Sequence, residues 1–189
     1  MIRVLAGEAR GRWLKTPKGQ QVRPTSAKCR AALFNVLGER LRGSSFLDLF
    51  AGTGSVGIEA LSQGAGRAVF VERDPRVVAL LRQNLASCHL SGEWQVIRED
   101  VLEALKTLQT QGERFDFIFL DPPYERGWVE KTLRFLAHPP LLLEPMGEVI
   151  VQHSPREVPL PAYGPLQRGV LKRYGDTQLS FLRLGELRL

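Results

Sequence analysis

At 189 residues, with 43% hydrophobic and 24% charged residues, the chain can bury a real core and has the composition of an ordinary soluble domain. No apolar run approaches membrane-spanning length and no leader-like stretch precedes the first charged residues, so a cytoplasmic protein is expected. Cys29 and Cys88 stand far apart and the three histidines are isolated, which leaves no disulfide framework and no metal site to expect. The formal charge of +6 is uneven: Met1 to Gly43 carries ten Lys or Arg against two acids, and the rest carries sixteen against eighteen. A basic end on a near-neutral body suits a polyanion contacted mainly by that end.

In chain order, Ile2 and Val4 begin an alternating strand, Gly7 and Gly11 turn it, and Trp13-Leu14 reads as the return strand of a hairpin. Arg3, Arg10, Arg12, Lys15, Lys18 and Arg23 line this segment, which is too short to fold alone and must pack on the main body or a partner. The expected division is a basic arm over residues 1–24 and one α/β domain over 25–189. Thr25 or Ser26 caps a helix to about Leu41, with Ala32, Leu33, Val36 and Leu37 on one face. The apolar run Phe46-Leu47-Asp48-Leu49-Phe50 then reads as a strand, followed by a Gly52-Thr53-Gly54 turn and a helix capped by Ser55. Arg67 to Glu72 is a second strand, and Asp74-Pro75 starts a helix whose inner side is Val77, Leu80, Leu81 and Leu85. Trp94 to Ile97 is a third strand, Val101 to Leu108 a helix, and Phe115 to Leu120 a fourth strand. A helix from about Trp128 to Ala137 precedes the strand Glu148 to Gln152. A Pro-rich connection, 154–165, leads to a closing hairpin, Gly169 to Tyr174 and Gln178 to Leu184. Strands alternating with helices and ending in a hairpin predict a mostly parallel sheet with an antiparallel edge.

Ligands of open α/β sheets bind beyond the carboxyl ends of the strands. Four polar features fall there: the glycine turn, Glu72, Asp100, and Asp121-Pro122-Pro123-Tyr124. The turn lets backbone approach a ligand closely, and Gly52, Gly54 and Gly57 also satisfy the dinucleotide pattern G-x-G-x-x-G. Glu72 lies at the distance where an acid reaches ribose hydroxyls, and Asp100 is placed to accept from an adenine amino group. Two consecutive prolines after Asp121 remove two N–H donors and stiffen the loop, so carbonyls and the carboxylate point outward as acceptors. Tyr124 adds a stacking face. Acceptors beside a flat ring suit a planar base that presents an exocyclic NH₂.

The motifs D-P-P-Y after the fourth strand and D-L-F-A-G-T-G-S-V-G after the first resemble the S-adenosylmethionine-dependent amino methyltransferases of Rossmann-like fold. R-G-R-W-L-K-T-P-K-G at Arg10 to Gly19, R-P-T-S at Arg23 to Ser26, A-L-F-N at Ala32 to Asn35 and G-I-E-A-L-S-Q-G-A at Gly57 to Ala65 narrow the resemblance. They look like the bacterial family that methylates guanine N2 of small-subunit (16S) ribosomal RNA. The likeness is densest from Arg10 to Tyr124 and weak after Gln152; Ala31 departs from the usual Glu of R-E-A-L-F-N, and Cys29 is also less usual. It implies a seven-stranded, mostly parallel sheet with helices on both faces and an N-terminal hairpin. Asp48, Phe50, Gly52 and Gly54 would cradle the methionine part of S-adenosylmethionine, Glu72 its ribose, and Asp100 with Val101 its adenine. Asp121 and the Pro122 carbonyl would accept from the guanine amino group while Tyr124 stacks on the base. Arg10, Arg12, Lys15, Lys18 and Arg23 would meet RNA. The expected partner is ribosomal RNA or the assembled small subunit, and the expected state is a monomer without metal.

Two other functions share part of this pattern. A nicotinamide-dependent oxidoreductase uses the same glycines and the same acid, but leaves D-P-P-Y and the basic arm without a purpose. A nucleic-acid methyltransferase acting on another base, such as adenine N6, shares the motif order.

Overall fold

The strand Phe46 to Leu49 is apolar on both faces apart from Asp48, and such a run must be covered on both sides. The computed structural model, which describes residues 1–17, 26–139 and 142–185, buries it so. Internal contacts divide the chain into two units, Met1–Asp100 and Val101–Leu189. Lys18, Arg23 and Thr25 lie outside the described residues.

In the first unit a hairpin, β1 (Ile2–Arg3) with β2 (Trp13–Leu14), is antiparallel. After α1 (Ala27–Leu37) come β3 (Ser45–Leu49), α2 (Ser55–Ser62), β4 (Arg67–Val71), α3 (Pro75–Cys88) and β5 (Glu93–Ile97). The three strands are parallel in the order β5-β4-β3. Phe46, Leu47, Leu49, Ala68, Val69, Phe70 and Val71 are wholly buried. Helix α2 is enclosed too, with every residue from Val56 to Ser62 buried. Gly57 makes this possible, because a Cβ there would collide with the Phe70 ring.

Ser26 caps α1, its hydroxyl accepting from the Cys29 N–H at 3.1 Å, and the helix passes into a 3₁₀ turn at Gly38–Leu41. The buried face is Cys29, Arg30, Leu33, Phe34 and Leu37. Ala32 and Val36, expected on that face, are half-buried because the stripe is centred one residue earlier. Helix α3 begins as predicted, with Asp74 Oδ1 accepting from the Arg76 N–H at 2.8 Å. Its inner side is Val78, Leu81, Asn84, Leu85 and Cys88. Val77 and Leu80 are half-buried, the face having turned to admit the polar Asn84.

The hairpin is fastened to α2 and α3. Leu14, Val4 and Ala9 are buried. Glu59, on α2 and 0% exposed, accepts from the N–H groups of Leu5 and Ala6, each at 2.9 Å. The Ser62 hydroxyl accepts from Ala9 at 3.0 Å and its carbonyl from Glu8 at 2.8 Å. Asn84 pairs with both backbone groups of Lys15: its Oδ1 accepts from the N–H at 2.8 Å, and its Nδ2 donates to the carbonyl at 3.1 Å.

In the second unit α4 (Val101–Thr110) precedes β6 (Phe115–Leu120), α5 (Trp128–Leu136) and the long β7 (Leu143–His153). Strand β6 runs parallel to β7. The chain returns antiparallel through β8 (Ala162–Tyr163), β9 (Leu166–Tyr174) and β10 (Thr177–Leu184), in the order β6-β7-β10-β9-β8. The structure departs from the sequence reading at several points. Strand β7 starts five residues before Glu148, its pairing with β6 shifting register between Phe115 and Phe117, and β9 starts at Leu166 rather than Gly169. The Pro-rich connection holds the short strand β8, so that the described residues form eight strands from β3 to β10 where the resemblance implied seven. Among the described residues no helix is long and apolar enough to cross a membrane.

Candidate active site

The turn after β3 is built from residues of left-handed backbone: Phe50 at φ 62°, Gly52 at 54° and Gly54 at 84°. Phenylalanine rarely adopts such a conformation, and this kind of outlier collects at functional sites. Gly54 is needed twice over, for its φ and because a Cβ would strike Leu81 Cδ1. Gly52 differs. Nothing lies within 4 Å of where its Cβ would be, so its backbone borders open space, as close approach by a ligand requires.

The sequence places the cap of α2 at Ser55, whereas the structure moves it one residue earlier, to Gly54, which offers no side-chain bond. The capping is done instead from β3: Asp48 Oδ2 accepts from the Gly57 N–H at 2.9 Å. Asp48 is 2% exposed, so its contribution to a cradle is to hold the turn and helix in place. A buried carboxylate at this helix start also has an electrostatic effect. The positive end of a helix dipole is where a dinucleotide's diphosphate would sit, and here an anion already occupies it. The amides of Ala51, Gly52 and Gly54 are engaged as well, with the Val71 carbonyl, Glu72 Oε2 and the Ala51 carbonyl. These engaged amides are not open to a diphosphate.

Glu72, just past β4, ties these parts together. Its Oε2 accepts from the Gly52 N–H at 3.1 Å and its Oε1 from the Asp74 N–H at 2.8 Å. Each carboxylate oxygen can accept more than one hydrogen bond, so a carboxylate fixed by two amides remains able to receive a pair of hydroxyls. The residues present therefore fit the ribose and sulfonium of S-adenosylmethionine. Asp100 is half-buried immediately before α4, and Val101 is its buried first residue.

In the second unit Asp121 follows β6 directly. Leu120 pairs with Val151 in the parallel register, so the next residues on the two strands, Asp121 and Gln152, meet. Gln152 is 3% exposed; its Nε2 donates to Asp121 Oδ1 at 3.0 Å and reaches the Tyr124 hydroxyl at 3.4 Å. Pro122 is buried and Tyr124 half-buried. Farther along the loop, Glu157 accepts from the N–H groups of Glu125 (2.8 Å) and Gly127 (3.2 Å), fixing a left-handed Glu125 at φ 58° and the entry to α5. The segment 121–127 is thus tied at one end by Gln152 and at the other by Glu157. Sequence reasoning found neither residue. Gln152 was detectable as the position facing Asp121 across a parallel pair; Glu157 sits in a Pro-rich stretch that carries no such signal.

On the arm, Arg10 and Arg12 are exposed. Arg12 Nη1 donates to the Ser87 carbonyl at 2.8 Å and Lys15 Nζ to Gln83 Oε1 at 3.1 Å. These two cations lie along α3, while Arg10 extends from the hairpin turn.

A glycine turn capped by a buried acid, a ribose-type carboxylate and a stiff Asp-Pro-Pro-Tyr loop on an α/β scaffold define the class: a Rossmann-like, S-adenosylmethionine-dependent methyltransferase. The family model described as conserved hypothetical protein 95 matches residues 2–183. YlbH of Bacillus subtilis, described as a candidate rRNA methyltransferase, is 37% identical over 183 residues, covering 96% of this chain and 98% of its own. Ribosomal RNA small subunit methyltransferase D of Haemophilus influenzae is 39% identical over 137 residues, 72% of this chain and 70% of that one. Among solved structures, yhhF of Escherichia coli, described as a candidate methyltransferase, superposes with a TM-score of 0.82 at 30% identity, covering 97% of both chains. The chain belongs to the family of ribosomal RNA small subunit methyltransferase D.

Proposed function

We propose that this protein methylates the exocyclic N2 amino group of a guanine in small-subunit ribosomal RNA. The observation that carries the reading is the immobilised Asp121, held by a buried Gln152 in a loop whose far end Glu157 also fixes. S-adenosylmethionine, when bound, supplies an electrophilic methyl group; the N–CH₃ bond forms as the S–CH₃ bond breaks, its electron pair returns to sulfur, and one proton leaves the nitrogen for solvent. The guanine amine is a poor nucleophile because its lone pair is delocalised into the ring. Asp121 accepts a hydrogen bond from one N–H of the amine and the Pro122 carbonyl one from the other, which favours a pyramidal nitrogen with its lone pair turned to the methyl group. Tyr124 stacks on the base and sets its plane. Positioning and fixed dipoles then supply the acceleration. A base within a helix cannot reach such a pocket, so the nucleotide is unpaired or flipped out.

Glu72 holds the ribose. Glu72→Ala should weaken S-adenosylmethionine binding in calorimetry by roughly 10- to 150-fold, corresponding to about 1.5–3 kcal/mol for hydrogen bonds to a charged group. Tight binding of a nicotinamide dinucleotide, with none of S-adenosylmethionine, would end the reading. The base is tested by nucleoside mass spectrometry of 16S RNA from cells with and without the gene. Loss of N2-methylguanosine at one position is expected, and loss of N6-methyladenosine instead would replace guanine by adenine as the target. The arm, with Arg10, Arg12, Lys15, Lys18 and Arg23, contacts RNA phosphates in this reading.

A further inference from the structure

Trp13 is 57% exposed on the outer face of the hairpin, an unusual position for the most costly aromatic side chain to leave in water. Its direction is set by its neighbour. Leu14 is 1% exposed and anchors the strand inward, so the alternation of a strand turns Trp13 outward. Arg3 stands opposite it in the β1–β2 register, with its guanidinium carbon 5.8 Å from the indole centroid. Arg3 Nε also donates to the Gly11 carbonyl at 3.4 Å, which holds the guanidinium in place. The backbone on either side is fixed to buried groups, Leu5 and Ala6 to Glu59 and Lys15 to Asn84. An indole is therefore presented on a rigid frame, paired with one arginine, with Arg12 beside it and Lys15 two residues on in the sequence.

We infer that Trp13 is a stacking platform for an unpaired RNA base, so that the arm grips a nucleotide as well as backbone phosphates. The inference rests on the RNA reading above and deepens it. Cations alone bind phosphate without regard to strandedness, whereas an exposed aromatic among cations is the arrangement that retains single strands. Ordering costs are small because the ring and its arginine are already placed.

The test compares binding of a short, unpaired fragment of 16S RNA to the full-length wild type, Trp13→Ala, Trp13→Phe and Arg10→Ala over a range of salt. Trp13→Ala should bind about 5- to 150-fold more weakly, the range for losing one stacked base. The slope of log affinity against log salt should not change, since no charge is removed. Trp13→Phe should keep most of the affinity, and Arg10→Ala should make the slope shallower by about one ion. Melting temperature of each variant is read alongside, so that a loosened hairpin is recognised by Trp13→Phe failing equally. Unchanged affinity in Trp13→Ala overturns the platform. Methyl transfer by the wild type is measured on the same fragment, on 16S RNA and on assembled small subunits from cells lacking the gene. A wild type that binds RNA and methylates none of them sinks the functional reading, while the binding comparison still decides Trp13.

Discussion

Asp121→Ala should fold, bind S-adenosylmethionine with nearly wild-type affinity, and transfer methyl groups more slowly by about 10²- to 10³-fold, the range for losing one preorganised electrostatic contact. Cofactor affinity should hold because Glu72 and the glycine turn belong to the first unit and Asp121 to the second. The fold should hold because Asp121 is half-buried and follows β6 rather than lying within it. The bland alternative is that Asp121 merely ends a strand. It predicts a lower melting temperature and normal turnover in the folded fraction. Single-turnover rate and melting temperature on the same samples separate the two, and a stable, fully active Asp121→Ala enzyme removes the central catalytic assignment. Tyr124 gives a parallel contrast: Tyr124→Phe keeps the ring face and most of the rate, and Tyr124→Ala loses stacking worth about 1–3 kcal/mol.

The largest stability effect should come from Glu59→Leu. Arg30 and Glu59 are both buried, with Arg30 Nε 3.4 Å from Glu59 Oε2, and burial pushes the guanidinium pKa down against the opposing pull of that carboxylate. Glu59 also receives the N–H groups of Leu5 and Ala6 and the Gln63 side chain. Removing it leaves a buried charge and two main-chain donors without their acceptor, a loss of about 3–5 kcal/mol. At about 2–4 °C per kcal/mol for a chain of this size, the melting temperature should fall by roughly 6–20 °C. The double variant Arg30→Met, Glu59→Leu should recover part of this by removing the stranded charge, but not the part due to Leu5 and Ala6. A fall of under about 2 °C in the single variant would contradict the buried pair as the hairpin's anchor.

The elements most readable from sequence were those whose local pattern and tertiary setting agree. Phe115–Leu120 is a strand over the residues its composition indicates, and Asp74-Pro75 caps a helix as that pair should. What escaped reading depends on partners distant in the chain. Glu59 and Arg30 sit within helices where charge suggests a wet face, and only the arrival of Leu5, Ala6 and each other makes them core residues. Asn84 rotates the inner face of α3 for the same reason. Within the candidate site, the positions of Glu72 and Asp121 just past β4 and β6 were legible, but the devices holding them were not. Asp48 reads as a ligand-facing acid, and the sequence did not disclose that its Oδ2 caps α2 through the Gly57 N–H, Ser55 falling one position too late to serve.

The arm's attachment has a consequence for how the chain is made. Its bonds to Glu59 close loops of 54 and 53 residues, and its bond to Asn84 one of 69. During synthesis the basic hairpin leaves the ribosome well before any of its anchors, and it is too short to hold its shape alone. Long-range closures of this kind are slow because chain entropy is lost before the contacts that reward it can form. Although translated before its anchors, the hairpin is thus among the last parts of its unit to become rigid, and until α2 and α3 have emerged its cations ride on a loose polymer.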